Sequence, residues 1–263
     1  MPAASNLTDS SAYDAHSTAS MLLPLDILDE HVSGLIQRAA VSNDIDRSML
    51  EELKNLIRIA GNIIMSGDIG ADGGNVTFTL TDEGILTISG NGAMKDFAEA
   101  FYSPSADSAP WYDYDSVLVK HIVIEEGVSS IGTCAFIRTN LLEDVTLPST
   151  MKKIGRYAFA YSNMTEIDLP SGLTELGNYV FSECKQLSGT VVIPEAIKSL
   201  YGTFSYCESL EKVIMPEGLE EIRGAFYYCK SLTEADIPST VRTIGYEAFE
   251  GSAITSAHIP EGI

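Results

Sequence analysis

Basic residues are scarce in this chain of 263 residues: 16 Lys and Arg stand against 37 Asp and Glu, a formal net charge of −21. Such an excess repels phosphate backbones and anionic headgroups, which excludes nucleic acid as a partner. Long apolar runs are also missing. The first twenty residues hold no Lys or Arg, and Met21-Leu22-Leu23-Pro24-Leu25 ends at once in Asp26, so no secretory leader is legible. No segment reaches the roughly 18 apolar residues of a membrane-spanning helix, and membrane insertion is not expected. Cysteine is limited to four residues, none paired at the close spacing of a metal knuckle. The four histidines, His16, His31, His121 and His258, are too scattered to build a nucleophile with its base. Walker loops, dinucleotide fingerprints and zinc helices are absent, and Gly67-Asp68-Ile69-Gly70-Ala71-Asp72-Gly73-Gly74 reads as a flexible linker rather than a phosphate cradle. These absences predict a protein that is not an enzyme and carries no cofactor or metal.

What is present is an internal repeat. Prolines fall at 148, 170, 194, 216, 238 and 260, with intervals of 22, 24, 22, 22 and 22 residues. Phe136, Phe159, Phe181, Phe204, Phe226 and Phe249 keep the same beat, at 23, 22, 23, 22 and 23. Each unit opens with an apolar–variable–apolar triplet such as Val145-Thr146-Leu147, the period of a half-buried strand, which Pro then ends. A single unit cannot bury its apolar face, so stacked units are needed, with Ile154, Leu176, Leu200, Ile222 and Ile244 in one inward column and the phenylalanines in another. The expected architecture is a solenoid with a parallel strand ladder along one side and a return path on the other. Cys184, Cys207 and Cys229 stand three residues after Phe, where other units have Thr139, Ser162 and Ser252, a column that asks for a small side chain. Cys134 stands two before Phe136 and is also assigned to the core. Two units lose a residue before Phe204 and Phe226, a change expected to affect local curvature only.

The runs Ile154-Gly155-Arg156-Tyr157-Ala158-Phe159 and Ile244-Gly245-Tyr246-Glu247-Ala248-Phe249, each preceded by Leu-Pro or Ile-Pro, resemble the BspA-like leucine-rich repeats. The resemblance covers residues 121–263 by repeat: six complete units of 22–24 residues and a seventh that stops at Ile263 and reads as truncated. It implies proteins that are often on or outside the cell and adhere to other proteins. Upstream, residues 66–120 read as a β-hairpin cap and connecting loop: Asn75–Leu80 and Ile85–Ser89 alternate across Asp82-Glu83-Gly84. Trp111, the only tryptophan, is expected to pack on the solenoid's open end.

Residues 1–20 are aperiodic and read as disordered. Residues 21–65 carry two apolar stripes at helical spacing, one from Leu25 to Ala39 and one from Ile45 to Ile64, and are expected to form a helical hairpin through which the chain could self-associate.

On the expected ladder, outward columns read Val123, Thr146, Asp168, Val192, Ile214, Asp236, His258 and His121, Asp144, Glu166, Thr190, Lys212, Glu234, Ser256. Variable residues on a regular frame are how solenoids bind. Val192 and Ile214, rimmed by Thr146, Asp168, Lys212 and Asp236, have the apolar centre and polar rim of a protein interface. Tyr161, Tyr206 and Tyr228, two residues after Phe, form a second stripe, and the outward columns are preferred to it. The reading is a protein-binding module at the cell surface or secreted. Its rivals are an intracellular scaffold joined through residues 21–65 and the targeting arm of a degradative enzyme.

Overall fold

The computed structural model describes residues 63–71, 73–98, 105–112, 119–259 and 261. The chain divides into two compact units, Met1–Gly67 and Asp68–Ile263. Residues 1–20 and nearly all of the expected helical hairpin lie outside the described residues. Where the two overlap, the helix is corrected: Ile64 sits in the strand Ile63–Asp68 and is exposed. A β-branched pair between Gly61 and Gly67 favours extended backbone, and its match to the helical period is incidental.

In the second unit, Asn75–Thr81 and Ile85–Ala93 pair antiparallel, with Phe78 opposite Ile88 and Leu80 opposite Leu86. Val76, Phe78, Leu80, Leu86 and Ile88 alternate inward and are buried. Gly84 closes the turn at φ 89°, its amide donating to the Thr81 carbonyl. The glycine-rich segment before this hairpin is not a flexible linker. Ile69 is fully buried, its amide bonds Val76, its carbonyl accepts from Lys95, and Gly70 bridges Met94. A side chain at Gly70 would strike the Gly74 carbonyl, which is why this close fold-back is rich in glycine.

The hairpin strand Ile85–Ala93 runs parallel to His121–Ile124, the first repeat strand, with Leu86 beside Ile122 and Ile88 beside Ile124. It therefore extends the ladder and closes one end of the core. Trp111 completes that end. It is buried, stacks on Phe136 at 5.6 Å, meets Phe78 and Phe97 edge-on at 5.0 and 5.9 Å, and donates its indole N–H to the Ala135 carbonyl at 2.7 Å.

Two strand ladders follow, where one was expected. The first carries the triplets: His121–Ile124, Asp144–Thr146, Gly189–Val192, Leu210–Ile214, Glu234–Asp236 and Ser256–His258, in parallel pairs. Residues 166–168 of the third coil form no strand, so this ladder is interrupted. The unit from Pro170 to Pro194 is also two residues longer than its neighbours, which takes the next coil out of step. The second ladder lies in the return path: Val128–Ile131, Lys153–Ile154 and Glu175–Leu176 pair in sequence, as do Ser199–Tyr201, Glu221–Arg223 and Thr243–Ile244. Lys153–Ile154, Glu175–Leu176 and Thr243–Ile244 are too short to show a period of two.

A third inter-coil register has no strand at all. Residues two before and two after each Phe sit at positive φ: Cys134 and Arg138, Tyr157 and Tyr161, Tyr179 and Glu183, Gly202 and Tyr206, Gly224 and Tyr228, Glu247 and Gly251, all between 54° and 70°. Between them the amides of Phe136, Phe159, Phe181, Phe204 and Phe226 donate to the next coil at 2.7–3.0 Å. Left-handed residues on both sides of Phe keep alternate amides aimed along the axis, so this side too satisfies its backbone. Inside, Phe136, Phe159, Phe181, Phe204 and Phe226 are fully buried, with successive rings 5.2–6.0 Å apart and within 24° of parallel. Phe249 continues the stack at 5.2 Å and is half-buried. Of the companion column, Ile154, Leu200 and Ile222 are fully buried, while Leu176 and Ile244 are half-buried.

Candidate functional site

On the first ladder the triplets send their outer residues into the inward-facing core and their central residue outward, so the sequence decides only which side chain is displayed. Val192 and Ile214 are register partners in adjacent parallel strands, 54 % and 47 % exposed. Val191 and Val213, one residue earlier in each strand, are buried. Lys212 is exposed beside Thr190 on the same strand pair. Thr146, Asp168 and Asp236 are exposed in the same outward column. Asp168 also borders a shallow depression of about 300 Å³ with Leu147, Ser149, Leu169, Pro170 and Gly172. His121 bonds Asp144 across the ladder at 2.7 Å, half-exposed, and among the described residues no cysteine or serine nucleophile joins that pair. His16 and His31 lie outside the described residues.

The tyrosines form a second surface, on the side of the positive-φ residues. Tyr157 stacks on Tyr179 at 5.1 Å, and Tyr206 on Tyr228 at 5.3 Å. Tyr227 stands across the second stack, at 88° to Tyr206 and 66° to Tyr228. Between the two groups lies a groove of about 420 Å³ bordered by Tyr179, Glu183, Tyr206, Gly224, Tyr227 and Glu247. Beneath it Ser182 and Ser205 bond each other at 2.7 Å. Desolvation, with a hydrogen bond that the Tyr179 hydroxyl donates to Tyr201, pushes the Tyr179 phenol up to about 12; desolvation and Tyr206 do the same to Tyr227. Both phenols are neutral near pH 7. Glu183 is held by Lys185 at 3.2 Å.

Of the residues that border the groove, the sequence pointed only to Tyr206, together with Tyr161 at its margin. Tyr179, Tyr227, Glu183, Glu247 and Gly224 were missed. Their signal was present in the two shortened units, which bring Gly202 and Gly224 to the position two before Phe that Tyr157, Tyr179 and Glu247 hold elsewhere. The shortening does more than adjust curvature: it removes two side chains from a column.

The cysteine column is buried throughout, as is Cys134. Burial pushes the Cys184 and Cys229 thiols up to about 12, and Cys207 well above its ordinary value. Among the described residues no group of His, Cys, Asp and Glu could hold a metal ion, and no helix is long and apolar enough to cross a membrane.

A family model described as the BspA type leucine-rich repeat region matches residues 111–224 and 201–263, in six copies. No curated protein matches the chain. Among solved structures, a leucine-rich cell surface protein from Faecalibacterium prausnitzii is similar at 29 % identity and a TM-score of 0.51, over 73 % of this chain and 54 % of that one. A leucine-rich-repeat protein from Bacteroides ovatus is similar at 20 % identity and a TM-score of 0.37, over 65 % and 59 %. One from T. pallidum aligns at 20 % and 0.38, over 63 % and 91 %. The chain thus spans about half the length of the first of these.

Proposed function

The chain belongs to the BspA-type leucine-rich-repeat family, and on that premise we propose that it is a non-catalytic protein-binding module acting at or outside the cell surface, with the outward residues of the first ladder as its contact surface. The observation that carries this reading is the exposed, in-register pair Val192 and Ile214. Adjacent strands place their side chains about 4.8 Å apart, which makes a continuous apolar strip that the fold has no need to expose. Asp168, Lys212, Asp236 and Thr146 supply a hydrated rim of mixed charge around it, the arrangement in which a desolvated centre gives affinity and the rim gives selectivity. The cell-surface setting is supported by the similarity to the leucine-rich cell surface protein of Faecalibacterium prausnitzii. The acidic surface favours protein partners over nucleic acid or anionic lipid.

Site-directed photo-crosslinking tests the reading. A photoreactive residue at position 192 should capture a protein from the native surroundings, while the same residue at Ser199, exposed on the second ladder, should not. Equal capture from both positions, or capture from 199 alone, would place the contact elsewhere.

A further inference from the structure

We propose that the tyrosine groove binds the arginine side chain of a basic peptide segment, at a site separate from the first ladder.

The argument begins with Gly224. Its φ of 54° does not require glycine, because Cys134, Tyr157, Tyr179 and Glu247 hold the equivalent position at 54–58°. Space does not require it either. A Cβ built there meets nothing nearer than the Tyr246 carbonyl at 3.9 Å, whereas one at Gly202 would strike the Tyr179 ring at 2.1 Å. Gly202 is thus filled by its neighbour, and Gly224 is left open onto the groove. The missing side chain is what makes the groove.

Its chemistry selects a cation. Among the described residues the border presents phenols, two carboxylates and no Lys or Arg of its own, on a chain of net charge −21. Lys185 occupies Glu183, but among the described residues no cation pairs with Glu247. Glu250 adds its field to Tyr227 from the same side. A guanidinium brings only donors, a planar face suited to aromatic rings and an apolar stem, which matches this lining. The fold already uses that packing at one end of the groove: the Arg156 and Arg138 guanidinium groups sit 4.6 and 4.9 Å from the ring centres of Tyr157 and Tyr161, which border it there. At about 420 Å³ the groove takes such a side chain with part of its backbone.

The test is an aromatic NMR titration of the full chain at low ionic strength with acetyl-Gly-Gly-Arg-Gly-Gly-amide. The same peptide with Gln in place of Arg serves as control, and xylohexaose as a neutral sugar probe. The arginine peptide should shift the Tyr206 and Tyr227 ring signals to saturation, and the other two should not. Gly224→Tyr refills the column without altering net charge and should weaken binding at least about tenfold. Glu247→Lys, at an exposed position, should do the same and keeps the test decisive if the glycine variant does not fold. Undiminished binding in either variant would mean that general acidity, not the groove, attracts the peptide. Shifts with xylohexaose and none with arginine would make the groove a sugar site. Either result overturns the proposal.

Discussion

The thiol of Cys207 donates to the carbonyl oxygen of Phe181, in the preceding coil, at 3.1 Å. Cys184 does the same to Phe159, and Cys229 to Phe204. Of the alcohols in the column, the Thr139 and Ser252 hydroxyls donate to Phe136 and Phe249 within their own coils, and the Ser162 hydroxyl pairs with the Cys184 sulfur at 3.3 Å. The column therefore favours a side chain that is small and also a donor: the Phe159, Phe181 and Phe204 carbonyls already accept the amides of Ser162, Cys184 and Cys207, and each thiol adds a second hydrogen bond.

Burial raises all three thiols, so the protonated form is the one the fold stabilises. Below about pH 9 both folded and unfolded chains keep these protons, and stability is unaffected. Above it the unfolded chain loses protons that the folded chain retains, so stability falls as pH rises toward 12, by about 1.4 kcal/mol per pH unit for each thiol. Urea unfolding at pH 7.5, 9.5 and 10.5 should show that slope, and replacing all three by Ser should remove the thiol share of it. A thiol reagent at pH 7.5 should label them only after unfolding, and reducing agent should leave the melting temperature unchanged. Rapid labelling of the native protein would place the column at the surface.

Phe181→Ala opens a cavity in the middle of the ring stack, between Phe159 and Phe204. The expected loss is roughly 3–5 kcal/mol in denaturant unfolding. A loss below about 1 kcal/mol would mean that the phenylalanine stack is not what holds the coils together.

Gly155 and Gly189 separate two uses of glycine. A Cβ at Gly155 would lie 2.5 Å from the Thr133 amide nitrogen and 2.6 Å from the Gly132 carbonyl carbon, so an alanine there pushes coils apart. At Gly189 nothing lies within 4 Å, and only the positive φ of 68° resists. Gly155→Ala should cost about 1–3 kcal/mol through overpacking, and Gly189→Ala about 1 kcal/mol or less. Thermal unfolding of the two variants side by side checks the order; a costlier Gly189→Ala would contradict the close approach of the coils.

Much of the fold was legible because its signals repeat. Phe and Pro recur at 22–24 residues, and a stacked coil must place them in columns, so the solenoid, the phenylalanine stack and the outward position of Val192 and Ile214 follow from spacing. Trp111 was legible as an end-packing residue because it lies between the hairpin strands and the first repeat unit. The second ladder was not: Lys153-Ile154 and Glu175-Leu176 are two-residue strands, shorter than any period. Positive φ at Tyr157 and Tyr179 was hidden because bulky residues rarely adopt it, and it is accompanied by inter-coil amide bonds that no local sequence signal announces. The groove escaped for the same reason. It is defined by a side chain that Gly224 lacks, and an absence stands out only once the column is drawn.

The binding surface is tested most directly by reversing the chemistry of its centre. Val192→Asp with Ile214→Asp puts two carboxylates in register on exposed strand positions, where the fold should lose little, about 1 kcal/mol or less. In an interface the same pair would be desolvated without partners. The decisive measurement is the affinity of this double variant for a protein crosslinked from position 192, with Ser199→Asp as control. The account predicts a loss of at least tenfold for the double variant, an unaltered melting temperature to within a few degrees, and no change for the control. Unchanged affinity in the double variant would contradict it.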